Sequence, residues 1–222
     1  DRASGLEEII VTAQKREENL QTVPIAVTAL GTDMLESFRV TDIQDLNGLA
    51  PNLVMIDQGV RSIPTITIRG ISSGVSNNAV DPKVGMYLDG VYIGKAQGSV
   101  LDVVDIERIE VLRGPQGTLF GRNTPAGVVK FDSVRPSTKK FEGYGSLSIG
   151  SLKTVNAEGA LNIPTSETTA LRLSVLNQTR DDKSGLYNAD RKGAAVTASW
   201  RGFEVGPHDF IAMQADHDVG TL

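Results

Sequence analysis

The stretch Arg-Gly-Pro-Gln-Gly-Thr-Leu-Phe-Gly-Arg-Asn-Thr-Pro-Ala-Gly-Val-Val, residues 113–129, sets four glycines and two prolines between two strand-like runs. Glycine admits positive φ and close backbone approach, while proline fixes φ and removes an amide donor. The segment therefore predicts a set loop, neither helix nor ladder. Before it, residues 106–112 alternate apolar Ile109 and Val111 with polar Arg108 and Glu110, and after it residues 128–131 read as a second strand. Strand, compact loop, strand is the local reading, and the rest of the chain is organised around it.

Upstream, the pattern is mixed α+β. Residues 1–8 are polar and predict a mobile lead-in to the β-branched run Ile9-Ile-Val-Thr12. That run fits either the first strand of a sheet or a short strand kept free to add to a partner's sheet edge. Residues 23–30 read as a strand with Pro24 at its start, where a missing donor is tolerated. Asp33 with Glu36, and then Thr41 with Gln44, predict capping boxes for two short helices, the second stopped by Pro51. Residues 53–56 and 65–69 read as strands, and residues 72–83, rich in Ser, Asn and Gly, as an exposed polar loop suited to recognition. Asp89-Gly90 between residues 84–88 and 91–94 predicts a hairpin, because a type I′ turn requires positive φ at both central positions. Ser99 predicts the cap of a short helical turn ahead of the strand at 106.

From Phe141 onward the helix signals disappear and period-two alternation takes over: Phe141, Gly143, Gly145, Leu147 and Ile149 on one face, then Val155, Ala157, Gly159, Leu161 and Ile163, then Leu171, Leu173 and Val175, with further runs near 194–200 and 210–214. Segments of about ten residues with this period, joined by turns and polar loops, are the signature of transmembrane barrel strands. The residues after Arg135 suffice for about five such strands. Five cannot close a large barrel, so the sequence is expected to be an N-terminal portion of something longer.

Several function classes fall away. The net charge is −5, the pI is near 5.1 and the basic residues are dispersed, which argues against nucleic acid as a partner. With no cysteine there is no disulfide, thiolate metal site or Cys nucleophile. His208 and His217 lack a ligand spacing, no serine has the nucleophile-elbow setting, and the glycines of 114–121 lack the spacing and lysine of a phosphate loop. Glu107 and Glu110 read as solvated or salt-bridged carboxylates on a charged strand. No catalytic centre, metal or cofactor is called for.

With these pieces placed, the chain resembles a TonB-dependent outer-membrane receptor. The motifs that carry the likeness are Glu7-Glu-Ile-Ile-Val-Thr-Ala13 (the TonB box), Pro24-Ile-Ala-Val-Thr28 (a plug strand), Ile68-Arg-Gly70, Tyr87-Leu-Asp-Gly-Val-Tyr92 and the loop at 113–129, in the family's order. The resemblance implies an α+β plug domain followed by antiparallel strands of a transmembrane β-barrel, of the plugged class with about 22 strands when complete. The implied division is 1–20 box segment and linker, 21–135 plug, and 136–222 first barrel strands.

The implied function is energy-coupled import of a scarce ligand, a ferric siderophore or similar, across the bacterial outer membrane. Partners would be the periplasmic domain of TonB, outer-membrane lipid and a small-molecule ligand such as a ferric siderophore or oligosaccharide. Glu8, Ile9, Ile10, Val11, Thr12 and Ala13 would engage TonB by strand addition, and Arg69 and Arg113 would be plug cations facing barrel carboxylates. Asp57, Gln58, Arg61, Ser72, Ser73, Asn77 and Asn78 would face the ligand. A receptor for carbohydrate or another nutrient is the alternative within the family, and a soluble plug-like binding module the alternative outside it.

Overall fold

The computed structural model describes residues 9–13, 16, 18–40, 43–57, 64–72, 82–94, 105–121, 123–151, 153–179, 191–200 and 210–217. The chain divides into two compact units, Asp1–Ser133 and Val134–Leu222.

The first unit is built on a five-stranded sheet. In chain order its strands are β1 (Ile10–Val11), β2 (Glu18–Asn19), β3 (Ala26–Gly31), β4 (Leu53–Asp57), β5 (Pro64–Ile68), β6 (Val84–Leu88), β7 (Val91–Tyr92), β8 (Ile106–Arg113) and β9 (Gly127–Ser133), with helical turns α1 (Thr32–Ser37) and α2 (Gly117–Phe120). The main sheet runs β3-β8-β9-β6-β7, with β9 parallel to β6 and the other pairs antiparallel, while β1-β2 and β4-β5 form separate pairs.

The alternation at β8 has an outcome that the pattern alone hides. Ile109 and Val111 enter the larger core, with Val129, Phe131, Leu30, Val84 and Met86 from neighbouring strands and Leu35, Ile43, Leu46, Leu53 and Ile68 packed above them. Glu110 and Leu112 point to the opposite face, and both are fully buried there as well. A second apolar cluster covers that face: Val11, Ala13, Ala29, Tyr87, Leu112, Phe120 and Val128. The sheet is therefore covered on both sides, by α1, residues 43–46 and β4-β5 on one and by the β1-β2 pair with Phe120 of α2 on the other.

Local signals hold in part. Asp89 and Gly90 have φ of 48° and 81°, and Leu88 stands directly opposite Val91, as a two-residue type I′ hairpin requires. The Asp89 carboxylate then accepts from the Ser133 amide and hydroxyl, lashing the turn to the end of β9. The box expected from Asp33 and Glu36 does not form. The helix starts two residues earlier, with Gly31 at the cap and no side-chain cap bond, so Asp33 lies inside the first turn, where its charge complements the helix dipole. The second expected helix is a 3-10 turn, Ile43–Leu46, whose i and i+3 side chains are both buried. The loop at 113–129 contains one helical turn, α2, where the reading allowed none. Backbone bonds from Gly114 to Ala126 and from Gln116 to Thr124 close its base, so Phe120 can drop into the second cluster. The turn expected at Ser99 lies outside the described residues.

The second unit is an antiparallel meander, β10 (Glu142–Ile149), β11 (Val155–Pro164), β12 (Thr169–Thr179), β13 (Arg191–Trp200) and β14 (Phe210–His217), each paired with the next. Glu142, Tyr144, Ser146 and Ser148 stand opposite Asn162, Ala160, Glu158 and Asn156 on one face. The other face carries Leu147, Ile149, Val155, Leu161, Leu173 and Val175, all exposed. An apolar face open across β10 to β12, on strands that include two of 10 and 11 residues, is the arrangement that lipid contact requires.

On the polar face, Asn162 clasps the segment that enters this unit. Its Oδ1 accepts from the Ser137 amide and its Nδ2 donates to the Ser137 and Lys140 carbonyls, each at 2.8 Å. Asn162 is fully buried, so Asn162→Ala would strand the Ser137 amide and two carbonyls, a change of about 1–3 kcal/mol. Hydrogen exchange in the intact protein is expected to show the Ser137 amide losing protection while β11 and β12 keep theirs.

Candidate functional site

Residues 9–13 are docked, with β1 at Ile10–Val11. Of the two readings that the run allows, the structure shows the paired strand: β1 pairs with β2, Ile10 opposite Asn19 and Val11 opposite Glu18. Docking buries Val11 and Ala13 fully in the second cluster, while Ile9 and Ile10 are exposed. The Leu20 amide donates to the Ile9 carbonyl at 2.9 Å. In an antiparallel ladder bonded and non-bonded pairs alternate, so Ile10-Asn19 is a non-bonded pair and the Ile10 N–H and C=O face the other edge. That edge has no neighbouring strand among the described residues.

Thr12 sits on a group of four charges. On β8 and β9, Glu110 stands opposite Lys130 and Arg108 opposite Asp132. Arg108 Nε meets Glu110 Oε1 at 2.8 Å and Arg108 Nη2 meets Asp132 Oδ2 at 3.0 Å; Lys130 Nζ lies 3.1 Å from Glu110 Oε2 and 3.4 Å from Asp132 Oδ2. The Thr12 amide donates to Glu110 Oε1 at 2.6 Å, its hydroxyl also reaches that oxygen at 3.2 Å, and Lys130 donates to the hydroxyl. Two cations and two anions balance, which is the condition for holding charges against an apolar cluster. Burial opposes the Arg108 charge, but Glu110 and Asp132 outweigh it and hold the guanidinium above its ordinary value. Nearby, burial pushes the Tyr87 hydroxyl up, with Tyr92 adding to it, and the hydroxyl donates to the Phe120 carbonyl.

Of the two acids singled out on the charged strand, Glu107 is exposed, whereas Glu110 is buried and salt-bridged. Lys130 and Asp132 belong to no sequence motif. A signal existed: like spacing of opposite charges, Arg108 and Glu110 on one strand, Lys130 and Asp132 on the next.

Arg69 reaches the backbone next to Arg113 in the chain. Arg69 follows β5 with φ of 52°, and its Nη1 lies 3.4 Å from the position that a Cβ on Gly114 would occupy. Arg113 Nε is buried with no hydrogen-bond partner, and neither guanidinium pairs with a carboxylate among the described residues. Asp57 ends β4, and Ser72 follows the bridge between Ile68 and Ile71. Glu8, Gln58, Arg61, Ser73, Asn77 and Asn78 lie outside the described residues.

No group of three or more His, Cys, Asp or Glu residues placed to hold a metal occurs among the described residues. What the arrangement offers is a strand edge, seated on charges, that another strand can extend.

The family model of the TonB-dependent receptor plug domain matches residues 19–128. The chain is 28% identical over 131 residues to the pesticin receptor of Yersinia pestis, covering 59% of this chain and 19% of that protein. It is 30% identical over 149 residues to a vitamin B12 transporter of Vibrio vulnificus, covering 64% and 23%. Among solved structures, the ferripyoverdine receptor of the outer membrane of Pseudomonas aeruginosa superposes with a TM-score of 0.71 at 16% identity, over 93% of this chain and 27% of that one. The chain thus spans about a fifth to a quarter of the length of these proteins, in which a plug is followed by a barrel. With a covered plug sheet, a meander whose outer face is apolar, and these likenesses, the chain belongs to the TonB-dependent outer-membrane receptors, of which it carries the plug domain and a run of barrel strands.

Proposed function

We propose that this protein imports a scarce ligand, a ferric siderophore in the first instance, across the outer membrane at the expense of TonB-delivered energy. The observation that carries the reading is the open edge of β1 at Ile10, on a segment that resembles the family's box. Strand addition needs only backbone donors and acceptors on an exposed edge, with side-chain pockets adding specificity. In this reading residues 1–20 are the engaging segment, with Glu8 to Ala13 making the contact, 21–135 the plug and 136–222 barrel wall. Arg69, beside Gly114, and Arg113, both without carboxylate partners among the described residues, suit barrel carboxylates. Asp57, Gln58, Arg61, Ser72, Ser73, Asn77 and Asn78 form the ligand-facing loops. The ferripyoverdine receptor supports iron cargo, and the B12 transporter makes cobalamin the competing ligand.

The test is accumulation of iron-55 siderophores and of cobalt-57 cobalamin by cells with and without the gene. One substrate is expected to lose uptake on deletion, and a protonophore should abolish the same component. Uptake that survives the protonophore, or no loss for any substrate, overturns the reading.

A further inference from the structure

We infer that Glu110 and Lys130 form a seat for Thr12 that regulates how much of the N-terminal strand is offered to a partner. The inference rests on the import reading above and deepens it, because it concerns control of the same strand.

The argument starts from which backbone groups face the open edge of β1. Residues 10 and 12 have the same parity, so both direct N–H and C=O away from β2. Ile10 is unpaired on that side among the described residues, but the Thr12 amide is already bound by Glu110. A partner strand meeting the docked segment finds one residue's backbone pair. Extending the ladder by its next bonded residue requires Thr12 to leave the carboxylate.

The seat is built for that exchange. Glu110 is fully buried, and a buried carboxylate left alone would resist losing a donor. Here Arg108 Nε stays on the same Oε1 and Lys130 on Oε2 when Thr12 departs, while Asp132 balances the second cation. No orphaned charge remains, so the vacated state is accessible and the equilibrium can run both ways. The seat is also selective. It takes an amide N–H on Glu110 and, one side chain away, a hydroxyl that accepts from Lys130 and donates to Glu110. Of the segment 9–13, Thr12 alone carries a hydroxyl.

Seating and partner pairing then compete for one N–H. The apparent affinity for a partner strand is reduced by the fraction of molecules with Thr12 unseated, and weakening the seat raises it. This is a regulatory role for two residues that touch neither ligand nor partner.

The experiment uses the intact protein in outer-membrane vesicles, with the TonB periplasmic domain as probe, and compares the native protein with Thr12→Val and with Glu110→Gln/Lys130→Gln. The double variant removes one charge of each sign, and Thr12→Val removes only the hydroxyl. Expected are Thr12 amide exchange faster by about tenfold or more, as loss of a charge-assisted bond implies, and tighter capture of the probe by a similar factor. Thr12→Val alters no sheet residue and keeps the test decisive if the double variant does not reach the membrane. Exchange and capture unchanged in Thr12→Val overturn the seat while leaving the import reading in place. Faster exchange with no capture of the probe by any version supports the seat and removes the import reading.

Discussion

Replacing Ile10 with proline is expected to abolish energy-dependent uptake, a loss of about a hundredfold or more, while ligand binding at the cell surface stays as it was. Proline removes the N–H at the one position of β1 where the pairing edge is open. Because the Ile10-Asn19 pair exchanges no backbone bonds, the change leaves the bonds of Ile9 and Val11 to β2 in place. Proline is tolerated at edge positions whose N–H faces solvent, and the Ile10 side chain is 45% exposed, so no core contact is lost. Uptake of labelled ligand and binding at low temperature separate the two effects. Binding lost together with uptake would mean that position 10 matters for the folded plug and would remove the strand-addition assignment. Retained uptake would place the energy-coupling contact elsewhere on the chain.

How much of this was legible in the sequence depends on the range over which a signal acts. The Asp89-Gly90 turn and the alternation of β10 to β12 are local, and the structure follows both nearly residue by residue. The helix limits near Asp33 were not legible, because a capping residue and a first-turn acid look alike until the start is known. The seat for Thr12 was illegible for a different reason. Arg108 and Glu110 alternate with Ile109 and Val111, a pattern that ordinarily marks a solvated face, and only a hairpin 98 residues away along the chain buries it. The same hairpin answers the question that the β-branched run left open, since Val11 and Ala13 are drawn into the sheet's second cluster while Ile10 is left at its rim. The approach of Arg69 to Gly114, next to Arg113 in the chain, follows from the chain reversal after β5, which no local pattern records.

Gly127→Ala is expected to be the most damaging single-methyl change in the plug, destabilising it by about 3–5 kcal/mol. Gly127 opens β9, squeezed between Arg113 of β8 and Val84 of β6, with φ of 153°. A Cβ there would lie 2.2 Å from the Leu112 carbonyl oxygen and 3.0 Å from Ile68 Cδ1. The carbonyl belongs to a central strand and cannot swing aside without breaking the ladder that carries Glu110 and Leu112 on one face and Ile109 and Val111 on the other. Both clusters of the unit would therefore loosen together. Gly145→Ala is the matched control: on the barrel wall its added Cβ would meet nothing nearer than 4.0 Å, so a change within about 0.5 kcal/mol is expected. Hydrogen exchange in the intact protein distinguishes them, with the amides of β8 and β9 losing protection in Gly127→Ala and those of β10 and β11 unchanged in Gly145→Ala. Equal protection in the native protein and Gly127→Ala would mean that β9 can shift in register to admit a side chain, and that the compact loop at 113–129 does not depend on a glycine to close it.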